Sequence, residues 1–443
     1  MKSFTLLASA ALTALASLPL ATGASIPSYL EMHHTSRREL SHAQVQAELG
    51  PLLSRNATII GPGGPGTIVK LANALGIPFM VKSRGHAPTD TVGRFRGIQI
   101  DMSKLQRITI QPGGGSNTTE TAWFQGGTYD NDNLVNLNVV LANGSATRVN
   151  ATSHPDLWWG MQGAGHNFGI VTSFQSKIYP KKVDTWHYHS YIFTQDKLES
   201  LFEALNVLHG HGDGSTPALM TANFGMFQTV PSISQAEPAI TWVFGYAGPA
   251  AEAEALLEPY NRLGPAAQES GDMPYPQVAP AMGSGMDQPI CEPGHAHVQS
   301  TPPFDAYNVT AERELYGLLA RTFARHPQLA AGAFAPARGV LDRGRGRGGP
   351  GRLLMLFETR LPLSDATPEN LRLARELVRE AREVWNAGAP GLKPASYVNY
   401  ANGDEPLEPM YGYEPWRLQR LRALKRQYDP HGRFSYYNPI PSQ

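Results

Sequence analysis

The sequence predicts an α+β protein built as two units, and three observations carry that prediction. Between Ala57 and Pro180, short β-rich runs alternate with short helical ones, divided by glycines. From about Lys181 longer strands and amphipathic helices take over, the pattern of a second α+β unit made of a sheet with helices on one face. From 391 the chain ends in a loop, a helix and a final segment that reads as extended. At 443 residues it is long enough for two domains or one large one, and 41% hydrophobic against 17% charged residues is ordinary for a folded protein.

The elements follow in order. In TIVKLANALG, Ile68, Leu71, Ala72 and Leu75 recur at helical spacing, and Gly76 stands where a C-cap belongs. IPFMVKS, GIQIDMSKLQRITI and ETAWFQGG read as strands, and NVVLANGS as a strand running into an Asn-Gly hairpin turn. PDLWWGMQ reads as a helix with the strand FGIVTSF after it. In the second unit TWHYHSYIFT and AITWVFGYAG are predicted strands, and QDKLESLFEALNVL and GPAAEAEALLEPYNRL predicted helices. Residues 338–352, RGVLDRGRGRGGPGR, cannot supply a core and are predicted to be a loop. A helix then opens on Thr367 as N-cap and Pro368 in the first turn, with Leu371, Ala374, Val378, Ala381 and Trp385 along one face. The last helix, PWRLQRLRALKRQY, stops at Asp429-Pro430, and GRFSYYNPI is expected to be extended.

Charge excludes several classes of function. Lys plus Arg and Asp plus Glu both number 37, so no net field draws the chain to nucleic acid or an anionic membrane, and a neutral small molecule is the expected partner. Residues 1–24 combine one Lys, an apolar stretch and the small residues Ala21, Gly23 and Ala24, which predicts a signal peptide and a secreted protein. No later stretch approaches the ~20 apolar residues of a membrane span. Sequons at Asn56, Asn117, Asn143, Asn150 and Asn308 fit an exported glycoprotein. Cys291 is the single cysteine, so no intrachain disulfide can form.

The motifs narrow the chemistry further. In GAGHNFGIV, Gly163, Gly165 and Gly169 sit between a helix and a strand. A dinucleotide turn needs the opposite order, strand then helix, so that the pyrophosphate meets a helix N-terminus. Tight packing of helix against strand is the other reading of these glycines. His187 with His189, and His295 with His297 beside Cys291 and Glu292, are two-ligand pairs for which spacing specifies no third ligand, so no metal is expected. Ser284 lacks the frame of a nucleophile elbow, and no phosphate-binding Gly-Lys-Ser/Thr occurs. MVKSRGHAPTDT places His86 in a glycine-proline loop after a strand, where a solvated loop histidine is the bland account.

Four fragments together carry a resemblance: IPFMVKSRGHAPTDTVGRFRGIQIDMSKLQRITI, NLVNLNVVLANGS, DLWWGMQGAGHNFGIVTSFQSKIYP and YVNYANGDEPLEPMYGYEPWRLQRLRALKRQYDPHGRFSYYNPI. In this order they resemble the berberine-bridge-enzyme-like FAD-linked oxidases, whereas Lys181 to Gly391 matches only loosely. The resemblance implies a PCMH-type FAD-binding domain over 45–180, a substrate-binding domain over 181–390, and a berberine-like segment over 391–443 that returns to the FAD domain. It implies FAD as cofactor, bonded covalently through His86, with Arg84 and Gly85 flanking it; Gly85 lets the ring approach the backbone. Gly165, Asn167 and Gly169 would line the cradle, and Asn438 would bond the ring edge. Tyr397 and Asn399 would face the substrate, Tyr397 as the base in a two-electron oxidation of a small molecule, with oxygen as acceptor. A secondary-metabolite intermediate is the expected substrate, a carbohydrate the alternative.

The chain also departs from that family. NATIIGPGG passes at once to PGTIVKLANALG, and AWFQGGTY to DNDNLVNLNVVLANG, so two segments expected in the FAD domain are missing. The second is the glycine-rich loop whose backbone N–H groups wrap the diphosphate. Cys291 lies outside that region, which excludes a second flavin bond. A non-catalytic binding glycoprotein on the same scaffold is therefore the rival reading.

Overall fold

The structure, a computed structural model, describes residues 64–83, 92, 95–103, 105–111, 120–125, 133–212, 216–283, 294–330, 333–335, 337–338, 353–354 and 356–441. The chain divides into two compact units, 1–180 with 411–443, and 181–410. The segment assigned to the first unit from 391 thus joins it only at Tyr411. The physical reason is that Arg382 holds residues before that point in the second unit, through Asp404 Oδ2 at 3.2 Å and Glu405 Oε1 at 3.1 Å.

In the first unit the helix Gly64–Ala74 ends as its glycine foretells. Gly76 has φ +66°, and Ile77 N–H donates to Ala72 O at 2.8 Å. The helix packs Ile68, Val69 and Ala72 on Phe79, Ile100 and Met102. Phe79 and Ile100 come from β1 (Phe79–Lys82) and β2 (Ile98–Asp101), a parallel pair. A second sheet is antiparallel: β3 (Ile108–Gln111), β4 (Thr121–Phe124), β5 (Leu134–Val140), β6 (Ala146–Val149) and β7 (Ile170–Lys177) lie in the order β3-β4-β7-β5-β6. The β5–β6 hairpin turns at Asn143-Gly144, where Gly144 takes φ +80°.

Residues 432–440 contain no strand, contrary to the expected extended ending. Asp429 accounts for this: its carboxylate accepts from Arg433 N at 2.7 Å and Phe434 N at 2.8 Å, which bends the chain back after the helix Pro415–Tyr428.

The second unit is built on one large sheet. Its strands are β8 (Trp186–Phe193), β9 (Met220–Val230), β10 (Ser234–Tyr246), β11 (Ala267–Met273), β12 (His295–Ser300), β13 (Ala333–Ala335), β14 (Ala337–Arg338) and β15 (Leu356–Pro362). They run β11-β8-β10-β9-β13-β15-β12, with β14 also on β9. One face carries Tyr191, Phe193, Trp242 and Phe244 into a core with the helices Leu198–Leu208, Ala250–Arg262, Val309–Arg325 and Pro368–Gly388. Helices are not confined to that face, however. Tyr188 and Val243, which alternate to the other side, pack on Val278 and Met282 at the helix Tyr275–Ala281. Thr367 caps its helix as expected, accepting from Asn370 N at 3.2 Å. Residues 339–352 of the arginine-glycine stretch lie outside the described residues, as does Cys291. No helix among the described residues is long and apolar enough to cross a membrane.

Candidate functional site

In the first unit the turn between the helix Pro155–Ala164 and β7 gathers the polar groups. The helix breaks at Gln162 and at Gly163, whose φ of +135° suits only glycine, and a 3₁₀ turn, Gly165–Asn167, leads into the strand. The order is helix, turn, strand, which rules out a dinucleotide-type helix N-terminus here. Two glycines allow close approach. A Cβ at Gly160 would meet Leu424 Cδ1 at 2.8 Å and Phe168 Cε2 at 2.9 Å, and one at Gly169 would overlap Val139 Cγ1.

Asn167 is the centre of this turn and is fully buried. Its Oδ1 accepts from Ile440 N at 2.8 Å, its Nδ2 donates to Tyr411 Oη at 3.3 Å, and its backbone O accepts from Lys425 Nζ at 3.0 Å. Tyr411 in turn donates to Asn438 O at 2.7 Å. His166 Nε2 lies 3.0 Å from Tyr411 Oη and 2.9 Å from Asn167 Nδ2, which donates to it when the ring is neutral. Lys425 also donates to Phe434 O at 2.7 Å and pairs with Asp429 at 2.7 Å, both side chains being buried. These contacts fasten the C-terminal segment onto the turn, across 244 to 273 residues of sequence.

Burial sets the electrostatics. It pushes His166 down to about 4, against the hydrogen bond with Asn438 and with help from the Lys425 charge, so the ring is neutral at pH 7. Tyr411 is raised well above an ordinary phenol, also by burial, and stays a donor. Lys425 is lowered by burial, while Asp429 works in the opposite direction.

Tyr397 and Asn399 belong to the second unit. Asn399 Nδ2 donates to Tyr397 Oη at 2.9 Å, and the ring of Tyr397 meets that of Tyr400 edge-on at 5.2 Å. Burial raises the Tyr397 phenol, and only the Asn399 hydrogen bond lowers it, so the net direction runs against a phenolate. Tyr400 is raised too, by burial and then by the charges of Tyr397 and Glu358. Glu358 on β15 accepts from Gln299 Nε2 at 2.8 Å and lies 2.5 Å from His297 Nδ1.

The structure therefore brings Gly165, Asn167 and Asn438 together with Gly169 beside them, and pairs Tyr397 with Asn399. Arg84, Gly85 and His86 lie outside the described residues. Sequence reasoning singled out neither Tyr411 nor the Lys425–Asp429 pair. The available signal was a lysine at 425 on the Leu418 and Leu421 side of a helix, four residues before an aspartate.

Comparison with known proteins places this architecture. The family model described as "Berberine and berberine like" matches residues 396–441. FAD-linked oxidoreductase OXR2 of Pyricularia oryzae is 57% identical, with 99% of this chain and all of that protein aligned. Among solved structures, wild-type BBE-like 1 of Physcomitrella patens superposes with a TM-score of 0.66 at 15% identity, covering 86% of this chain and 90% of that one. A chitooligosaccharide oxidase gives the same score, identity and coverage. The chain belongs to the berberine-bridge-enzyme-like FAD-linked oxidases, PCMH-type in fold. It is an FAD-linked oxidoreductase. The alignment with the Pyricularia protein spans 523 positions, 80 more than the 443 residues here, so at least 80 of them hold a residue of the relative and none of this chain.

The described part of the turn fits FAD as a support and not as a set of open donors. Asn167, His166 and Tyr411 hold one another and the C-terminal segment, and Leu424, Phe168 and Val139 fill the space beside Gly160 and Gly169.

Proposed function

We propose that this chain is an exported oxidase that takes two electrons from a small molecule, a secondary-metabolite intermediate, and passes them to molecular oxygen. The full-length match to an FAD-linked oxidoreductase at 57% identity supports the reading most directly. FAD supplies the two-electron acceptor. His86 is its covalent tether, with Arg84 and Gly85 alongside. The network around Asn167 would serve the cofactor indirectly, by holding the C-terminal segment in one position. Tyr397 faces the substrate hydroxyl, and to accept its proton the phenol must first release its own to solvent, which burial opposes and the hydrogen bond from Asn399 Nδ2 favours. Export rests on residues 1–24. Of the described sequons, Asn143 stands exposed on its turn, while Asn150 and Asn308 already donate Nδ2 to Asn136 Oδ1 and Gly388 O.

Oxygen uptake matched by peroxide release, with a panel of phenolic and alcohol substrates and oligosaccharides, tests the reaction. Turnover of the oligosaccharides alone would move the substrate to carbohydrates. Substituting His86→Ala tests the tether: colour that still precipitates with the protein in acid would contradict it. The positions missing against the Pyricularia protein favour one second reading, a scaffold that binds small molecules without catalysis. A folded, colourless protein with no oxygen uptake would establish that reading.

A further inference from the structure

His187 and His189 point to the same face of β8, as alternation requires, and the helix Ala250–Arg262 brings Glu254 against them. Glu254 Oε1 lies 3.3 Å from His187 Nε2 and 3.3 Å from His189 Nδ1, and the three atoms fall within 4.8 Å of one another. The two rings are buried, with exposures of 2% and 5%. For ligand bonds of about 2.1 Å, a tetrahedral cation separates its ligand atoms by about 3.4 Å, so both measured separations match.

The surrounding bonds fix which atoms carry protons. His187 Nδ1 lies 2.7 Å from Asp272 Oδ1, directly across the β8–β11 ladder, and Asp272 is itself held by Ala250 N at 3.1 Å. His189 Nε2 lies 3.1 Å from Gln268 Oε1. Those oxygens accept, so His187 carries its proton on Nδ1 and His189 on Nε2. The remaining ring nitrogens then present lone pairs to Glu254 Oε1, whose companion Oε2 is occupied by Asn261 Nδ2 at 3.1 Å. His187 Nε2 is buried with no hydrogen-bond partner. Three acceptors thus converge with nothing positive between them.

We propose that His187, His189 and Glu254 bind a divalent transition-metal ion of the zinc class, clamping the β8–β11 edge of the sheet to the helix Ala250–Arg262. Two imidazoles and one carboxylate are borderline ligands of the kind zinc takes. Asp272 orients His187 from behind, the usual carboxylate-histidine-metal arrangement. The Glu254 side chain is 40% exposed, which gives the ion access and leaves a fourth position to water. The missing third ligand of the His187–His189 pair is supplied from 65 residues away, where spacing could not show it. This inference stands independently of the flavin chemistry.

The test uses the full chain, stripped with a chelator, exchanged into metal-free buffer and titrated with zinc chloride by calorimetry, with retained zinc measured by mass spectrometry after gel filtration. One zinc per chain is expected, with a melting temperature raised by the metal. Glu254→Gln keeps shape and sits at a partly exposed position, so it folds; it and His189→Ala should each weaken binding about tenfold or more, and Asp272→Asn about 10-fold to 100-fold. Failure of the wild type to retain zinc, or retention unchanged in Glu254→Gln, would overturn the proposal.

Discussion

Two of the buried polar clusters among the described residues, around Asn167 and around His187, are assembled from residues distant in sequence, yet they close differently. Around Asn167 in the first unit, donors meet acceptors: Lys425 faces two carbonyls and Asp429, and Asp429 also takes two backbone amides. Around His187 in the second unit, Asp272 and Gln268 take the two ring protons, and the remaining nitrogen lone pairs face Glu254 Oε1, acceptor against acceptor. Burial alone does not separate a structural polar cluster from a ligand site. The balance of donors and lone pairs does.

The sharpest way to break the comparison is to unbalance the closed cluster. Lys425→Met leaves Asp429 buried without its cation and should cost about 3–5 kcal/mol of stability of the first unit, measured by urea unfolding. Glu254→Gln in metal-free protein removes no cation and should cost the second unit far less in the same measurement. Comparable losses in both would show that the second cluster is closed as well.

Acid comes next in size. His166 takes up its proton at about 4 in the folded state, below its ordinary 6.5, so the unfolded chain binds a proton first as pH falls. Stability from this group is full above 6.5 and declines between 6.5 and about 4, by about 3 kcal/mol in all. Unfolding curves at several pH values should show that slope in the wild type, reduced by this amount in His166→Gln. Equal slopes would mean that His166 is protonated in the fold.

Packing around the turn gives a smaller effect. Gly169→Ala forces Val139 aside and should cost about 1–3 kcal/mol. Smallest is Thr367→Ala, which removes a helix cap far in sequence from both clusters and should cost about 1 kcal/mol by thermal melting, with zinc binding unchanged.

Much of the fold was legible because its signals are local. The Gly76 cap, the Asn143-Gly144 turn and the Thr367-Pro368 helix start each depend on a few adjacent residues. Order was legible as well, since a helix before GAGHNFGIV and a strand after it settle what those glycines can do. What failed depended on side-chain contacts that the pattern of apolar and polar residues does not carry. The ending at 432–440 has strand-like residues, and it bends because the Asp429 carboxylate captures two amides. One short helix, Tyr275–Ala281, also packs on the other face of the large sheet, where Tyr188 and Val243 alternate outward and meet Val278. Of the site, Asn167 and Asn438 were named through the family resemblance, while Tyr411 and Glu254 are engaged through contacts that join residues far apart in sequence.

The central claim, that this shortened chain is still a flavin enzyme, is tested most directly by the visible absorption spectrum of the purified protein before and after acid precipitation. Flavin bands are predicted because the chain belongs to an FAD-linked family, and bands that stay with the precipitate are the outcome the proposed tether through His86 requires. A well-folded protein without those bands, and without any gained on incubation with FAD, would contradict it.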